Sequence, residues 1–174
     1  NPNFEFLLRN NIFKLGKKWS FTIICGNDNF HLIDKIVSSI SKNIKIIKCN
    51  LNSLTENDYN LFLTNKNFWS MLSGEKILLL NSNTYINYFD LNNFISYDFI
   101  QNFFQIERKN SWISMSFRSK SVMLKIINSI SPYDNINQYD IAKYMVNNNL
   151  SIPPEAYYFY TMAKKLSIGN VASI

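Results

Sequence analysis

Short, nearly unbroken apolar runs alternate with segments of helical apolar spacing through the first half of the chain, and this alternation is its strongest constraint on fold. Phe21-Thr22-Ile23-Ile24-Cys25 stops at Gly26, Ile44 to Cys49 forms a second run, and Ile77 to Leu80, the most apolar, leads straight into Asn81-Ser82-Asn83-Thr84. Between the first two lies the stripe Leu32, Ile33, Ile36, Val37 and Ile40. Apolar runs of this length read as strands covered on both faces, and the intervening 3.6-residue period reads as helix. The expectation is an α/β domain with a mostly parallel central sheet and helices on both faces. Ligands of such sheets bind beyond the C-terminal ends of the strands, where Gly26 and Asn81 to Thr84 fall.

The flanking segments obey the same logic. Phe4, Leu7, Leu8, Ile12 and Phe13 repeat at helical spacing up to Gly16. Thr55 followed by Asp58 resembles a capping box, with Asp in place of Glu. Phe68, Trp69, Met71 and Leu72 make a short amphipathic segment ending at Gly74. Leu91 to Tyr97 reads as a short helix and Asp98-Phe99-Ile100 as a brief strand. Residues 101–112 are irregular and polar, and Ile113 to Phe117 alternates as a strand does. Ser119 starts a helix through Ile130, which Pro132 breaks; a further helix is expected from Ile136 to Asn147. Pro153-Pro154 opens a last helix containing Tyr157 to Leu166, and the residues after Gly169 read as a tail. No internal repeat or linker divides the chain, so residues 1–174 are expected to form one domain.

Composition narrows the class of function. Asn, Ile and Lys are abundant. This reads as a bias toward AT-rich codons rather than prion-like low complexity, since the apolar periodicity never lapses for long. Eighteen basic against twelve acidic residues give a net charge of +6, which favours anionic partners. The basic residues are scattered apart from Lys14, Lys17 and Lys18 and the pair Lys164 and Lys165, so a nucleic-acid stripe is not expected. Cys25 and Cys49 each lie in a strand-like run and read as buried free thiols suited to a reducing compartment. Two cysteines and a single histidine, His31, are too few for a zinc site. The sequence shows no signal peptide and no apolar run long enough to span a membrane.

The series Leu7-Leu8-Arg9-Asn10, Leu15-Gly16-Lys17-Lys18-Trp19, Cys25-Gly26-Asn27, Asp58-Tyr59-Asn60, Phe68-Trp69, Gly74-Glu75-Lys76-Ile77-Leu78 and Tyr97-Asp98-Phe99-Ile100 resembles a family of glycosyltransferase-like domains of formally unknown function, common in large DNA viruses. The resemblance continues through Ser116-Phe117-Arg118-Ser119-Lys120 and Ile152-Pro153-Pro154-Glu155. It implies a Rossmann-like GT-A fold that binds a nucleotide sugar. It also implies a divalent metal, manganese or magnesium, that neutralises the diphosphate of a UDP-sugar donor. The family has a strand before the helix at which this chain begins, so the resemblance implies a first strand that is lost or that lies outside this chain.

Three motifs of that family are altered. Its acidic residue after the central strand falls at Asn83-Thr84, and an Asn carbonyl can ligate a metal but brings no charge. Its Gly-rich turn falls at Trp112, Ile113 and Ser114, where bulk replaces the close backbone approach that glycine allows. Its Pro-Glu-Asp reads Pro154-Glu155-Ala156, leaving Glu155 as the only acid there to deprotonate an acceptor. The candidate nucleotide- and sugar-binding residues are therefore Gly26, Asn81, Asn83, Thr84 and Arg118, with Glu155 as the catalytic candidate and no metal ligand.

Each has a plainer role open to it: Asn83 a turn residue, Glu155 a first-turn helix acid, Arg118 a structural ion pair, Trp69 core packing rather than stacking on a sugar. His31 and Asp28 read as helix-start residues. The expectation is a catalytically degenerate glycosyltransferase-like domain without a cofactor, serving a structural or interaction role among other protein chains, in the cytoplasm or a viral particle. The alternatives are an active hexosyltransferase-type enzyme with an atypical metal site, and a glycan-binding module.

Overall fold

The computed structural model describes residues 3–41, 43–50, 52–88, 90–101, 115–134, 142, 145–151 and 153–173. They form a mixed α/β structure with two small sheets. The chain divides into two compact units, Asn1–Leu54 with Asn81–Asp90, and Thr55–Leu80 with Leu91–Ile174.

The first unit opens with helix α1 (Phe4–Leu15), which buries Leu8 and Asn11. Gly16 ends it at φ 74°, a left-handed conformation that glycine adopts without penalty, and its N–H returns to the Ile12 carbonyl. Strand β1 (Thr22–Gly26), helix α2 (Phe30–Ile40) and strand β2 (Lys45–Cys49) then form one parallel crossover. Thr22 pairs with Lys45 and Gly26 with Cys49. This is the parallel pairing that the alternation of the sequence predicts. Both cysteines are free and half-buried rather than buried. Partial burial raises both thiol pKa values.

The second unit starts at the capping box. The Thr55 hydroxyl oxygen accepts from the Asp58 N–H, and the Asp58 carboxylate accepts from the Thr55 N–H and hydroxyl. Helices α3 (Glu56–Leu63) and α4 (Lys66–Met71) come next, then strands β3 (Lys76–Leu80), β4 (Phe99–Gln101) and β5 (Met115–Ser119). Helices α5 (Lys120–Ser129) and α6 (Glu155–Lys165) and strand β6 (Val171–Ser173) complete it. The sheet order is β3-β5-β4-β6. Here the expectation of a mostly parallel sheet needs correction: β5 runs antiparallel to both β3 and β4, and β4–β6 is the parallel pair. The apolar run of β3 identifies a well-covered strand, but burial alone does not distinguish strand direction.

The tail expected after Gly169 is a second correction, since residues 171–173 are a strand. Gly169 has φ 76°, and a Cβ there would lie 3.1 Å from both Asp98 Cβ and Val122 Cγ1. This close approach lets the Asn170 N–H reach Asp98 Oδ2 at 2.9 Å while the Asp98 N–H donates to the Asn170 carbonyl at 2.7 Å. Val171 to Ser173 then pair with Phe99 to Gln101. The helix expected over Leu91 to Tyr97 reduces to one 3-10 turn, Leu91–Asn93. Trp112, Ile113 and Ser114 lie outside the described residues, as does most of the helix expected over 136–147, of which Ala142 and residues 145–147 are helical. Among the described residues no helix is long and apolar enough to cross a membrane.

The core of the second unit is aromatic. Trp69 and Phe159 meet edge to face at 6.0 Å, Phe68 packs on Phe62 and on Trp69, and Phe99 leans on Phe159. Burying rings of this size supplies most of what a small domain can gain from water exclusion.

Candidate functional site

In the first unit, Asn81, Asn83 and Thr84 share one turn after β3. The Thr84 N–H donates to the Asn81 carbonyl at 3.0 Å, the Asn83 N–H to Asn81 Oδ1 at 2.9 Å, and the Asn81 N–H to Thr84 Oγ1 at 3.1 Å. Asn is suited to such a turn because its side-chain oxygen caps a backbone N–H two residues on. The turn is also tethered to α1. Asn11 Nδ2 donates to the Thr84 carbonyl, Asn11 Oδ1 accepts from the Ile86 N–H, and Asn10 Nδ2 donates to the Ile86 carbonyl. Sequence reasoning missed Asn10 and Asn11. Their signal was two adjacent amides near the buried stripe of an otherwise amphipathic helix, and Asn11 is buried.

These residues do not fit a divalent cation. Magnesium or manganese needs several hard oxygens, carboxylates among them. Asn81 Oδ1 and Thr84 Oγ1 already accept backbone N–H groups, and no carboxylate belongs to the turn. Among the described residues no three His, Cys, Asp or Glu side chains gather in a metal-binding group. Gly26 ends β1 opposite Cys49, half-buried.

In the second unit the structure brings Arg118 and Glu155 together. Arg118 Nη1 donates to Glu155 Oε2 at 2.6 Å and Nη2 to Oε1 at 2.8 Å. This is the two-pronged geometry that guanidinium and carboxylate favour. Arg118 stands on β5, between Ile77 of β3 and Phe99 of β4, and Glu155 is the first residue of α6. Their side chains are 0% and 1% exposed. Arg118 Nε donates to Ser116 Oγ, two residues back on the same face. The guanidinium carbon lies 5.1 Å from the Phe99 ring centre, 5.5 Å from Phe159 and 5.9 Å from Trp69, within cation–π range. The Glu155 N–H donates to Asn60 Oδ1, so an amide from α3 caps a helix whose own cap residue, Pro154, has no side-chain acceptor. Burial, with the negative Glu155 adding to it, pushes the Tyr59 phenol up to about 12 against the opposing pull of Arg118, so Tyr59 is neutral at physiological pH.

A base must touch the group it deprotonates. The Glu155 carboxylate touches Arg118 through both oxygens and is closed to solvent. A clamp for a diphosphate must present its N–H groups to the ligand, and those of Arg118 point to Glu155 and Ser116.

A second polar cluster in this unit centres on Asp98, which sequence reasoning did not single out. Its Oδ1 accepts from the Ser119 hydroxyl at 2.6 Å and from Lys76 Nζ at 3.0 Å, and its Oδ2 from the Asn170 N–H. Partial burial pushes the Asp98 carboxyl up, but these three donors outweigh it and hold the pKa below the usual carboxylate value. A lowered folded-state pKa stabilises the protein above the unfolded value, near pH ~3.9, and that contribution disappears as pH falls through the folded value. In urea melts across pH, Asp98→Asn is expected to be less stable than the parent at pH 7, with the gap shrinking below about pH 4. A gap that stays constant down to the acid limit would contradict this account.

The remaining candidates take ordinary positions. Trp69 is fully buried, and its Nε1–H donates to the Leu63 carbonyl at 2.7 Å. His31 is exposed and packs edge-on to Phe30, and the Asp28 N–H donates to Asn52 Oδ1. No family model matches the chain, and no curated protein or solved structure matches it.

Proposed function

We propose that this chain is a glycosyltransferase-like domain in which the positions of the transfer machinery have been turned to holding the fold, and that it acts as a structural or interaction module among other protein chains, for example in a viral particle. The observation that carries the reading is the Arg118–Glu155 pair. The one acid left at the family's Pro-Glu-Asp position is locked to the one cation left at its Ser-Phe-Arg position, and both are sealed from solvent. The turn over Asn81 to Thr84 supports it from the other unit, because the side-chain oxygens of Asn81 and Thr84 accept backbone N–H groups.

Calorimetric titration with UDP-sugars, with and without manganese, together with an assay for donor hydrolysis, tests the proposal. The expected result is neither metal-dependent binding nor hydrolysis. Manganese-dependent release of UDP would overturn the proposal in favour of an active transferase. Recovery of the chain as a stoichiometric component of a particle or a multi-chain assembly is the positive result expected.

A further inference from the structure

Helix α1 carries apolar side chains on two opposite sides. At about 100° per residue, Leu8, Asn11 and Leu15 fall on one side and Phe6 and Phe13 on the other. The first side packs into the first unit, where Leu8 and Asn11 are buried and Leu15 half-buried. The second faces water, with Phe6 64% and Phe13 81% exposed. Being seven positions apart, the two rings stand about 10 Å from each other along the helix axis. Phe6 is joined by Tyr85, whose ring stacks on it at 6.4 Å with only 10° between the planes. Tyr88, on the same segment as Tyr85, is exposed as well. That segment is fastened to α1 by the bonds of Asn10 and Asn11 to Thr84 and Ile86. Single exposed apolar side chains are ordinary on a protein surface, but aromatic groups gathered on one helix face mark a place of contact.

The charge beside this face selects its partner. Residues 3–19 hold Arg9, Lys14, Lys17 and Lys18 against a single acid, Glu5, and Glu5 is already paired with Arg9 at 2.8 Å. Lys14, in the last turn of α1, and Lys17 and Lys18, just past Gly16, are exposed, and none forms an ion pair among the described residues. We propose that the outer side of α1 docks on an anionic lipid surface, with Phe6, Phe13 and Tyr85 entering the headgroup boundary and Lys14, Lys17 and Lys18 set against the lipid phosphates. The helix lies along such a surface, since its 12 residues span about 18 Å, well short of a bilayer core. A headgroup layer accepts protruding rings without a matching pocket, and lysine stems are long enough to reach its phosphates from the helix end. A folded protein would need two pockets about 10 Å apart to take the same two phenylalanines. A single strand of nucleic acid stacks its bases on aromatic rings along a basic groove, whereas Tyr85 already covers one face of Phe6. The Asn10 and Asn11 tethers hold Tyr85 beside Phe6 before any surface is met, so little ordering is needed on docking. The proposal does not depend on whether transfer chemistry survives.

The test is flotation of the full chain with vesicles of phosphatidylcholine alone, or of phosphatidylcholine with about 30% phosphatidylserine. The chain is expected to float with the anionic vesicles and not with the neutral ones, and to be released as salt rises from about 0.1 M to about 1 M. Lys14→Gln, Lys17→Gln and Lys18→Gln should each weaken partitioning about fivefold. Phe13→Ala should weaken it about tenfold. The thermal midpoint should stay where it is, because Phe13 is 81% exposed and the lysine side chains lie at the surface. Failure to float with the anionic vesicles overturns the proposal, as does equal binding to the neutral ones or binding that survives the lysine and Phe13 substitutions. Two further results, found in place of vesicle binding, also overturn it. Retention of a single-stranded oligonucleotide that Phe13→Ala abolishes would make the face a nucleic-acid surface. Concentration-dependent self-association that Phe13→Ala abolishes would make it a contact between two copies of the chain.

Discussion

Glu155→Gln is expected to cost the protein about 3–5 kcal/mol, because it leaves the Arg118 guanidinium buried and charged without its counter-charge. The size of the effect comes from where the pair sits. An exposed ion pair is worth little, since water already solvates both ends. Arg118 and Glu155 have given up that solvent, and each is stable where it is only because the other is there. Replacing both, as Arg118→Met with Glu155→Leu, should restore most of the loss or exceed the parent, because an apolar pair of similar volume carries no desolvation cost. Urea unfolding of the parent, the single and the double variant measures all three. A single variant within about 1 kcal/mol of the parent would show that the charges are not buried as described. Should the single variant be too unstable to purify, recovery of a folded double variant carries the same information.

Trp69→Ala is expected to lose a comparable amount, about 3–5 kcal/mol. The indole is fully buried among Phe68, Phe159 and Arg118, so its removal leaves a large cavity. Trp69→Phe should cost less. It keeps most of the ring contacts and loses the bond from Nε1–H to the Leu63 carbonyl, a loss of about 1–3 kcal/mol when a buried acceptor is left unmatched. Thermal or urea unfolding of the two variants separates packing from hydrogen bonding. If Trp69→Ala left stability intact and changed only ligand binding, the residue would belong to a binding surface, and the core would have to be redrawn.

Local features were legible in the sequence. The Thr55–Asp58 capping box closes within one turn, and Gly16 stops α1 by its own backbone conformation. The parallel β1–α2–β2 crossover comes from the alternation of two periods over fewer than thirty residues. The features that stayed hidden depend on distant partners. Val171-Ala172-Ser173 is too short and too mild to signal a strand, and it becomes one by pairing with β4 and by Asn170 binding Asp98, 72 positions away. The alternation of Ile113 to Phe117 marks a strand but not its neighbours, so the antiparallel pairing of β5 with β3 and β4 emerged only from the structure. Among the candidate residues, those of the Asn81–Thr84 turn were legible as turn-formers. Arg118 and Glu155 were each read with a structural alternative. That these two alternatives are one interaction, across 37 positions, required the coordinates.

The Arg118–Glu155 pair also shapes which sequences this lineage can reach. A typical domain is stable by only about 5–15 kcal/mol, so a change at either position alone takes a large share of that margin. Losing the two residues together is far milder than losing either one. Selection therefore sees a valley between two acceptable states, crossed by a paired substitution and seldom by successive ones. Drift on the exposed surface can proceed freely, but any route that changes Arg118 or Glu155 alone passes through a poorly folded protein.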